Sequence, residues 1–188
     1  NSFSTSVGDE GGFSPEINNV EEALELLSKA IKNAGRNLDN DINFAIDAAS
    51  SEFYKNNFYE MNNGQTKIDT NDMIKIWEKL VREYPIISLE DPLEENDFEG
   101  YKELTNLIGN KIQIVGDDLF ATNMNRLSKG INSGAANSIL IKLNQIGTLS
   151  ETIETVNLAK KNNYGTIISH RSGETEDTFI ADLSVGLN

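Results

Sequence analysis

Five residues that can perform acid–base or metal chemistry each lie at or near the C-terminal end of a short apolar run in this chain. They are three carboxylates, one lysine and the chain's single histidine, namely Asp47, Glu90, Asp117, Lys142 and His170. If the apolar runs are parallel strands of one barrel, their carboxyl ends meet at one mouth, where the active sites of such barrels lie. The spacing therefore predicts that these five side chains surround one site.

Each of these residues also has a simpler interpretation when it is taken alone. An aspartate after a strand often caps a turn, and the acidic pairs at 90–91 and 117–118 are compatible with turns or solvated loops. A lone histidine such as His170 is more often structural than catalytic. Lys142 differs, because it sits in an apolar run, where burying an ammonium group is costly unless it is paired. The joint pattern favours a functional site over five unrelated structural roles.

Three carboxylates at one rim are typical of a site for a hard divalent cation. Mg²⁺ prefers oxygen ligands, whereas Zn²⁺ prefers His or Cys, and this chain has one His and no Cys. A lysine beside a bound cation can act as a general base, and the cation can offset charge that develops on a substrate carboxylate. The predicted reaction class is proton abstraction from the carbon next to a carboxylate.

The residues that follow the last apolar run add a cationic, donor-rich stretch, His170-Arg171-Ser172. The planar guanidinium of arginine matches phosphate geometry. For an arginine alone, a surface salt bridge is the commoner role. Because the stretch follows a strand on the same predicted rim, it favours an anion site.

Short apolar runs alternate with amphipathic helical patterns and so predict parallel β/α units. The predicted strands cover residues 41–48, 85–89, 111–116, 137–143 and 164–169. The predicted helices cover residues 20–34, 71–84 with Thr70 as N-cap, 97–108, 123–132, 150–163 and a segment from about 177. Residues 56–69 are predicted to be a polar loop or a small hairpin.

Two architectures fit this alternation, an open doubly wound sheet and a (β/α)₈ barrel. The open sheet usually carries a glycine-rich phosphate turn after its first strand. The segment GDEGGF (8–13) does not have that spacing, and it leads into a loop. We therefore predict an α/β fold that is an incomplete TIM-type barrel.

The composition excludes several classes of function. With 16 Lys and Arg against 30 Asp and Glu, the formal net charge is −14, which makes nucleic acid a poor partner. The absence of Cys rules out disulfides and thiolate metal sites. No apolar run approaches the length of about 18 residues that a membrane span needs.

Six segments of the chain resemble enolase, in the same order and at the same spacing, and together they span essentially the whole chain. They are GDEGGF (8–13), IDAASSEFY (46–54), SLEDPL (88–93), QIVGDDL (113–119), IKLNQIGTLSE (141–151) and SHRSGETEDTFIADL (169–183). The resemblance implies a Mg²⁺-dependent lyase of glycolysis that interconverts 2-phosphoglycerate and phosphoenolpyruvate. The superfamily is known for pairing a lysine or histidine base with Mg²⁺.

The resemblance also assigns roles to individual residues. It implies that Lys142 takes the proton from C2 and that Glu10 is the acid that helps the C3 hydroxyl leave. The other implied site residues are the ligands of the first Mg²⁺, Asp47, Glu90 and Asp117, and the substrate-binding run, Ser169, His170, Arg171 and Ser172. Ser14 departs from the family pattern, which usually has alanine there.

The resemblance further implies that the chain is a fragment of the C-terminal barrel domain, residues 1–188, cut at both ends. The family's N-terminal α+β domain, the loop that closes over the second Mg²⁺ and a last active-site lysine all fall outside it. The fragment is therefore expected to be inactive, and the complete enzyme to be a cytoplasmic homo-oligomer with two Mg²⁺ per site. The alternatives are a superfamily racemase or cycloisomerase, which lacks two of these motifs, and a scaffold or surface-binding role.

Overall fold

The computed structural model describes residues 4–8, 11–62, 64–173 and 175–187. Its strands are β1 (Phe44–Asp47), β2 (Tyr54–Lys55), β3 (Phe58–Met61), β4 (Thr66–Ile68), β5 (Ile86–Glu90), β6 (Gln113–Gly116), β7 (Ser138–Ile141) and β8 (Gly165–Ile168). Its α-helices are α1 (Val20–Asn33), α2 (Thr70–Glu83), α3 (Phe98–Ile108), α4 (Met124–Ser133), α5 (Leu143–Ile146), α6 (Leu149–Lys161) and α7 (Phe179–Gly186).

Five of the strands form one parallel sheet in the order β1-β5-β6-β7-β8. Each of them overlaps one of the predicted apolar runs, and helices connect them as β/α units. Within the described part of the chain β1 and β8 form the two edges of this sheet, so the barrel is not closed. The predicted α/β class with an incomplete barrel is confirmed.

The sheet core consists of aliphatic side chains that the apolar runs supply. Leu89, Ile114, Ile139 and Ile141 are fully buried, and burying such a side chain contributes about 1.5–3 kcal/mol each. The helices pack on their neighbours in chain order, α2 on α3, α3 on α4 and α4 on α6. No helix in the described ranges has the length and apolar character that crossing a membrane requires.

Three local predictions differ from the structure. Strands β2, β3 and β4 form a three-stranded antiparallel sheet, whereas residues 56–69 are predicted to be a polar loop or a small hairpin. The strand predicted to run through residue 143 ends at Ile141, because the chain turns into α5, and Lys142 is the N-cap of that helix. Asp69, rather than Thr70, caps α2: its carboxylate accepts from the Asp72 N–H at 2.9 Å, while the Thr70 hydroxyl donates to Asp97.

Candidate active site at the carboxyl ends of the strands

The predicted site residues lie at the same end of the parallel sheet. Asp47 and Glu90 are the last residues of β1 and β5 and are partners in the strand register. Asp117, Lys142 and Ser169 each follow the last residue of β6, β7 and β8, respectively. The five strands therefore bring these polar residues to one rim, where the β/α alternation predicts them to be.

Most of these residues line one cavity of about 380 Å³. Its lining consists of Asp47, Glu90, Leu140, Lys142, Ser169, His170, Arg171 and Ser172. A larger cavity of about 500 Å³ lies along α2 and α3 and includes none of the predicted site residues. We place the candidate site in the smaller cavity, because that is where the predicted residues converge.

Lys142 is held at this rim by contacts to its backbone and its side chain. Its backbone N–H donates to the Thr122 hydroxyl oxygen at 2.8 Å, and its Nζ donates to Asp117 Oδ2 at 2.5 Å. The Lys142 and Asp117 side chains are only 17% and 13% exposed. The ion pair meets the requirement that a largely buried ammonium group have a partner.

Asp117 is positioned by a close approach of the backbone that precedes it. A Cβ at Gly116 would lie 2.6 Å from the ring of Phe120, so only glycine lets that ring pack there. Asp117 Oδ2 faces Lys142, whereas Asp117 Oδ1 is buried without a hydrogen-bond partner among the described residues. A buried carboxylate oxygen with no donor fits a ligand position for a cation.

Two of the predicted metal-binding carboxylates, Glu90 and Asp47, have raised pKa values. Burial is the largest cause for Glu90, followed by the negative charges of Asp47 and Asp117, and together they raise the pKa of Glu90 to about 7. Burial also raises the pKa of Asp47, against the N–H of Ala49, which donates to Asp47 Oδ1 at 3.1 Å. Carboxylates that repel one another in this way are stabilised by a bound cation.

Asp91 is a residue of the site region that the sequence analysis did not single out. It is 3% exposed, and burial raises its pKa to about 7 against two backbone N–H donors, those of Asp118 and Asp117. The available signal was the second acidic residue in Glu90-Asp91-Pro92, directly after a strand.

The tightest acidic group in the described ranges is not the predicted ligand set. Ligand oxygens of Asp91, Asp117 and Asp118 all lie within 4.8 Å of one another, so this group could hold a metal ion. Asp47 and Glu90 lie outside that group but share the cavity with Lys142. The structure thus offers two carboxylate sets that have Asp117 in common.

The segment after β8 borders the cavity from the other side. Ser169 is half-buried, and its hydroxyl donates to the His170 carbonyl oxygen at 2.9 Å. His170, Arg171 and Ser172 are exposed and reach the cavity. A loop with one cation and several donors, opposite a set of carboxylates, can bind an anionic group.

Glu10, the predicted acid, lies outside the described residues. On either side of it, the Gly8 N–H donates to the Gly12 carbonyl oxygen at 2.9 Å. Gly11 has φ 82°, a left-handed conformation that favours glycine.

Comparison with known proteins gives a match over the whole chain. A family model described as the enolase C-terminal TIM barrel domain matches residues 1–188. The chain is 54% identical over 187 residues to a protein of Chlorobaculum tepidum named enolase 1, covering 99% of this chain and 44% of that protein. It is 56% identical over 185 residues to the enolase of Corynebacterium kroppenstedtii and 55% identical over 183 residues to that of Legionella pneumophila.

Both of the latter comparisons cover 97% of this chain and 43% of the relative. The chain thus spans less than half the length of these relatives. The resemblance read from the six sequence segments is confirmed over the full length of the chain.

Proposed function

Because this chain belongs to the enolase family, we propose that it is the barrel part of a phosphopyruvate hydratase, a lyase that interconverts 2-phosphoglycerate and phosphoenolpyruvate. One observation of the structure carries this proposal. A lysine, two carboxylates and a cationic loop line a single cavity at the carboxyl end of a parallel sheet, and a third carboxylate is paired with that lysine. These are the groups that abstraction of a proton next to a carboxylate requires.

The complete protein, rather than this chain alone, is the proposed enzyme. The relatives are more than twice as long as the matched segment, and a closed barrel of this type has eight strands. We therefore propose that residues 1–188 are part of the C-terminal domain and that the isolated chain lacks turnover. The complete enzyme is proposed to be a cytoplasmic homo-oligomer.

In the proposed reaction Lys142 acts as the general base. As the base, the Lys142 side-chain nitrogen takes the proton from C2 of 2-phosphoglycerate, and the ammonium that results is stabilised by Asp117, which accepts its hydrogen bond. Glu10 then protonates the C3 hydroxyl as it leaves. Arg171, with His170 and Ser172, binds the phosphate.

Mg²⁺ is the proposed cofactor, with Asp47, Glu90 and Asp117 as its ligands. The set consists of oxygen donors only, and it includes Asp117 Oδ1, which has no hydrogen-bond partner in the part of the chain that the structure describes. When bound, a divalent cation supplies positive charge that offsets the negative charge developing on the substrate carboxylate.

The metal assignment predicts a thermal stabilisation by Mg²⁺ that depends on particular carboxylates. At a Mg²⁺ concentration about 100 times Kd, binding would stabilise the folded full-length protein by about 2.7 kcal/mol. We expect most of this stabilisation to be lost in Asp117→Asn and in Asp47→Asn. Melting temperatures of each variant with Mg²⁺ and with a chelator measure the effect.

Asp118→Asn is the matched control, because Asp118 belongs only to the tighter acidic group. We expect this variant to keep the Mg²⁺-dependent shift. If Asp118→Asn loses the shift and Asp47→Asn keeps it, the ligand set is Asp91, Asp117 and Asp118 instead of the proposed one. An unchanged shift in Asp117→Asn would contradict both sets.

The raised pKa of Glu90 predicts a pH dependence for the metal-free protein. The folded pKa is about 7 against an ordinary value of 4.5, so the folded state binds more protons than the unfolded state between these values. Stability contributed by Glu90 is therefore lost as pH rises through this window. In urea titrations with a chelator present, we expect the wild type to lose stability relative to Glu90→Gln as pH rises from about 4.5 to about 7.

The raised pKa of Glu90 also determines how stabilisation by Mg²⁺ changes with pH. Mg²⁺ binds the ionised carboxylate, so binding releases protons, and stabilisation by Mg²⁺ grows as pH rises toward 7. A wild type whose metal-free stability rises relative to Glu90→Gln over this range would contradict the assigned environment of Glu90.

A further inference from the structure

We propose that Asp91 is a positioning residue whose carboxylate sets the spacing between the metal-binding carboxylates on neighbouring strands. The inference rests on the proposed function, since it assigns Asp91 a role through Glu90 and Asp117. Asp91 is not one of the residues that line the cavity. Its proposed action is indirect, through hydrogen bonds from its carboxylate to the backbone N–H groups of Asp117 and Asp118.

Both carboxylate oxygens of Asp91 accept hydrogen bonds from the segment that carries Asp117. Asp91 Oδ1 accepts from the Asp117 N–H at 3.0 Å, and Asp91 Oδ2 accepts from the Asp118 N–H at 2.7 Å. The hydroxyl of the fully buried Tyr101 lies 3.2 Å from Oδ1 and 3.1 Å from the Leu93 carbonyl oxygen, so its single proton is shared between these two acceptors. The carboxylate of Asp91, which follows β5, therefore holds the backbone of the segment that follows β6.

The backbone of Asp91 extends this connection to the other strands of the site. Its N–H donates to the Val115 carbonyl oxygen at 3.1 Å, and its own carbonyl oxygen accepts from the Ser50 N–H at 3.1 Å. Val115 lies in β6, and Ser50 begins the turn that follows β1. One residue thus ties together the ends of β1, β5 and β6, which carry Asp47, Glu90 and Asp117.

The backbone conformation of Asp91 is itself costly. Its φ is 41°, a left-handed value that residues other than glycine adopt infrequently. Such a conformation persists where surrounding contacts over-determine it. Five hydrogen bonds supply those contacts: Asp91 donates one to Val115 and accepts the others from Ser50, Asp117, Asp118 and Tyr101.

The contacts distinguish a carboxylate from an amide of the same shape. Two backbone N–H groups point at two different oxygens of Asp91. Asparagine would have to present its NH₂ group to one of these donors, because it has only one oxygen acceptor. We therefore expect Asp91→Asn to shift the segment at Asp117, although the side chain keeps its volume.

The experiment measures Mg²⁺ affinity of the full-length protein by titration calorimetry with MgCl₂, alongside the melting temperature with a chelator present. We expect Asp91→Asn to bind Mg²⁺ about 10–100 times more weakly, the usual range for residues that orient metal ligands. Turnover should require correspondingly more Mg²⁺, and adding Mg²⁺ should restore part of it. A role in folding alone would lower the melting temperature and leave Mg²⁺ affinity unchanged.

Tyr101→Phe tests the inference even if Asp91→Asn does not fold. It removes the hydroxyl that Asp91 shares with the Leu93 carbonyl oxygen and keeps the two backbone hydrogen bonds to Asp91, so we expect a loss of about two- to tenfold in Mg²⁺ affinity. Tyr164→Phe is the matched control, because it removes a hydroxyl that donates to the Ala135 carbonyl oxygen at 3.0 Å and does not touch Asp91. That variant should keep the wild-type affinity.

Two outcomes overturn the inference in distinguishable ways. If the wild type binds Mg²⁺ and the folded Asp91 and Tyr101 variants bind it with the same affinity, the positioning role is wrong and the proposed function stands. If the wild type itself does not bind Mg²⁺, the proposed function fails and the inference fails with it.

Discussion

Replacing Lys142 with alanine in the full-length protein is expected to lower the turnover of 2-phosphoglycerate by about 10²–10⁴, the usual contribution of a general acid or base. Lys142 lies at the end of β7, lines the candidate cavity and has its Nζ 2.5 Å from Asp117. Alanine removes the proposed base and leaves Asp117 without its cationic partner. Formation of phosphoenolpyruvate under saturating Mg²⁺ measures the effect.

Lys142→Arg distinguishes proton transfer by Lys142 from the effect of its positive charge, and Lys129→Ala serves as a control. Lys142→Arg keeps a cation beside Asp117 but does not release a proton near neutral pH, so we expect it to lose turnover as Lys142→Ala does. Lys129→Ala is the control away from the site, where the Lys129 ammonium lies 3.8 Å from the centre of the Phe98 ring. Wild-type turnover in Lys142→Arg would show that Lys142 contributes charge rather than proton transfer.

Glu10→Gln is expected to produce an equally large loss of turnover, about 10²–10⁴, with a different partial reaction retained. Glutamine keeps the size of the side chain but supplies no acidic proton to the leaving C3 hydroxyl. Removal of the C2 proton does not need that acid. In deuterated water, the variant should therefore exchange the C2 hydrogen of 2-phosphoglycerate while forming little phosphoenolpyruvate.

A matched control for this variant is Glu16→Gln, which changes an exposed glutamate of the same N-terminal segment. It should retain both turnover and exchange. The assignment of Glu10 as the acid is wrong if Glu10→Gln loses exchange as completely as it loses turnover.

The sheet could be predicted from the sequence because its strands carry an unambiguous signal. Apart from Ser138, every residue of β7 is apolar, and Ile139, Leu140 and Ile141 are all buried. Since parallel strands present their carboxyl ends to one rim, the polar residue after each run could be placed at that rim without coordinates. The cavity that contains Asp47, Glu90 and Lys142 agrees with this placement.

The parts that could not be predicted depend on hydrogen bonds between distant residues. The sequence Glu90-Asp91-Pro92 does not indicate that Asp91 accepts hydrogen bonds from backbone N–H groups 26 and 27 positions later in the chain. The end of β7 is set by Thr122, whose hydroxyl oxygen accepts from the Lys142 N–H at 2.8 Å. Hydrophobic periodicity carries no information about such contacts.

The ion pair between Lys142 and Asp117 could be predicted from the sequence only in part. The cost of burying an ammonium group indicated that Lys142 needs a partner. The sequence does not show which nearby carboxylate is that partner. The structure shows that it is Asp117, whose Oδ2 lies next to Lys142 Nζ.

Exchange of the C2 hydrogen of 2-phosphoglycerate with deuterated water is the most direct test of a metal-assisted base at this rim. The measurement compares the full-length wild type with Mg²⁺, the same protein with a chelator, and Lys142→Ala with Mg²⁺. We expect exchange in the first sample and its loss in the other two, because proton removal needs both the base and the bound cation. Exchange at the wild-type rate in Lys142→Ala, or in the wild type without a divalent cation, would contradict the proposed site.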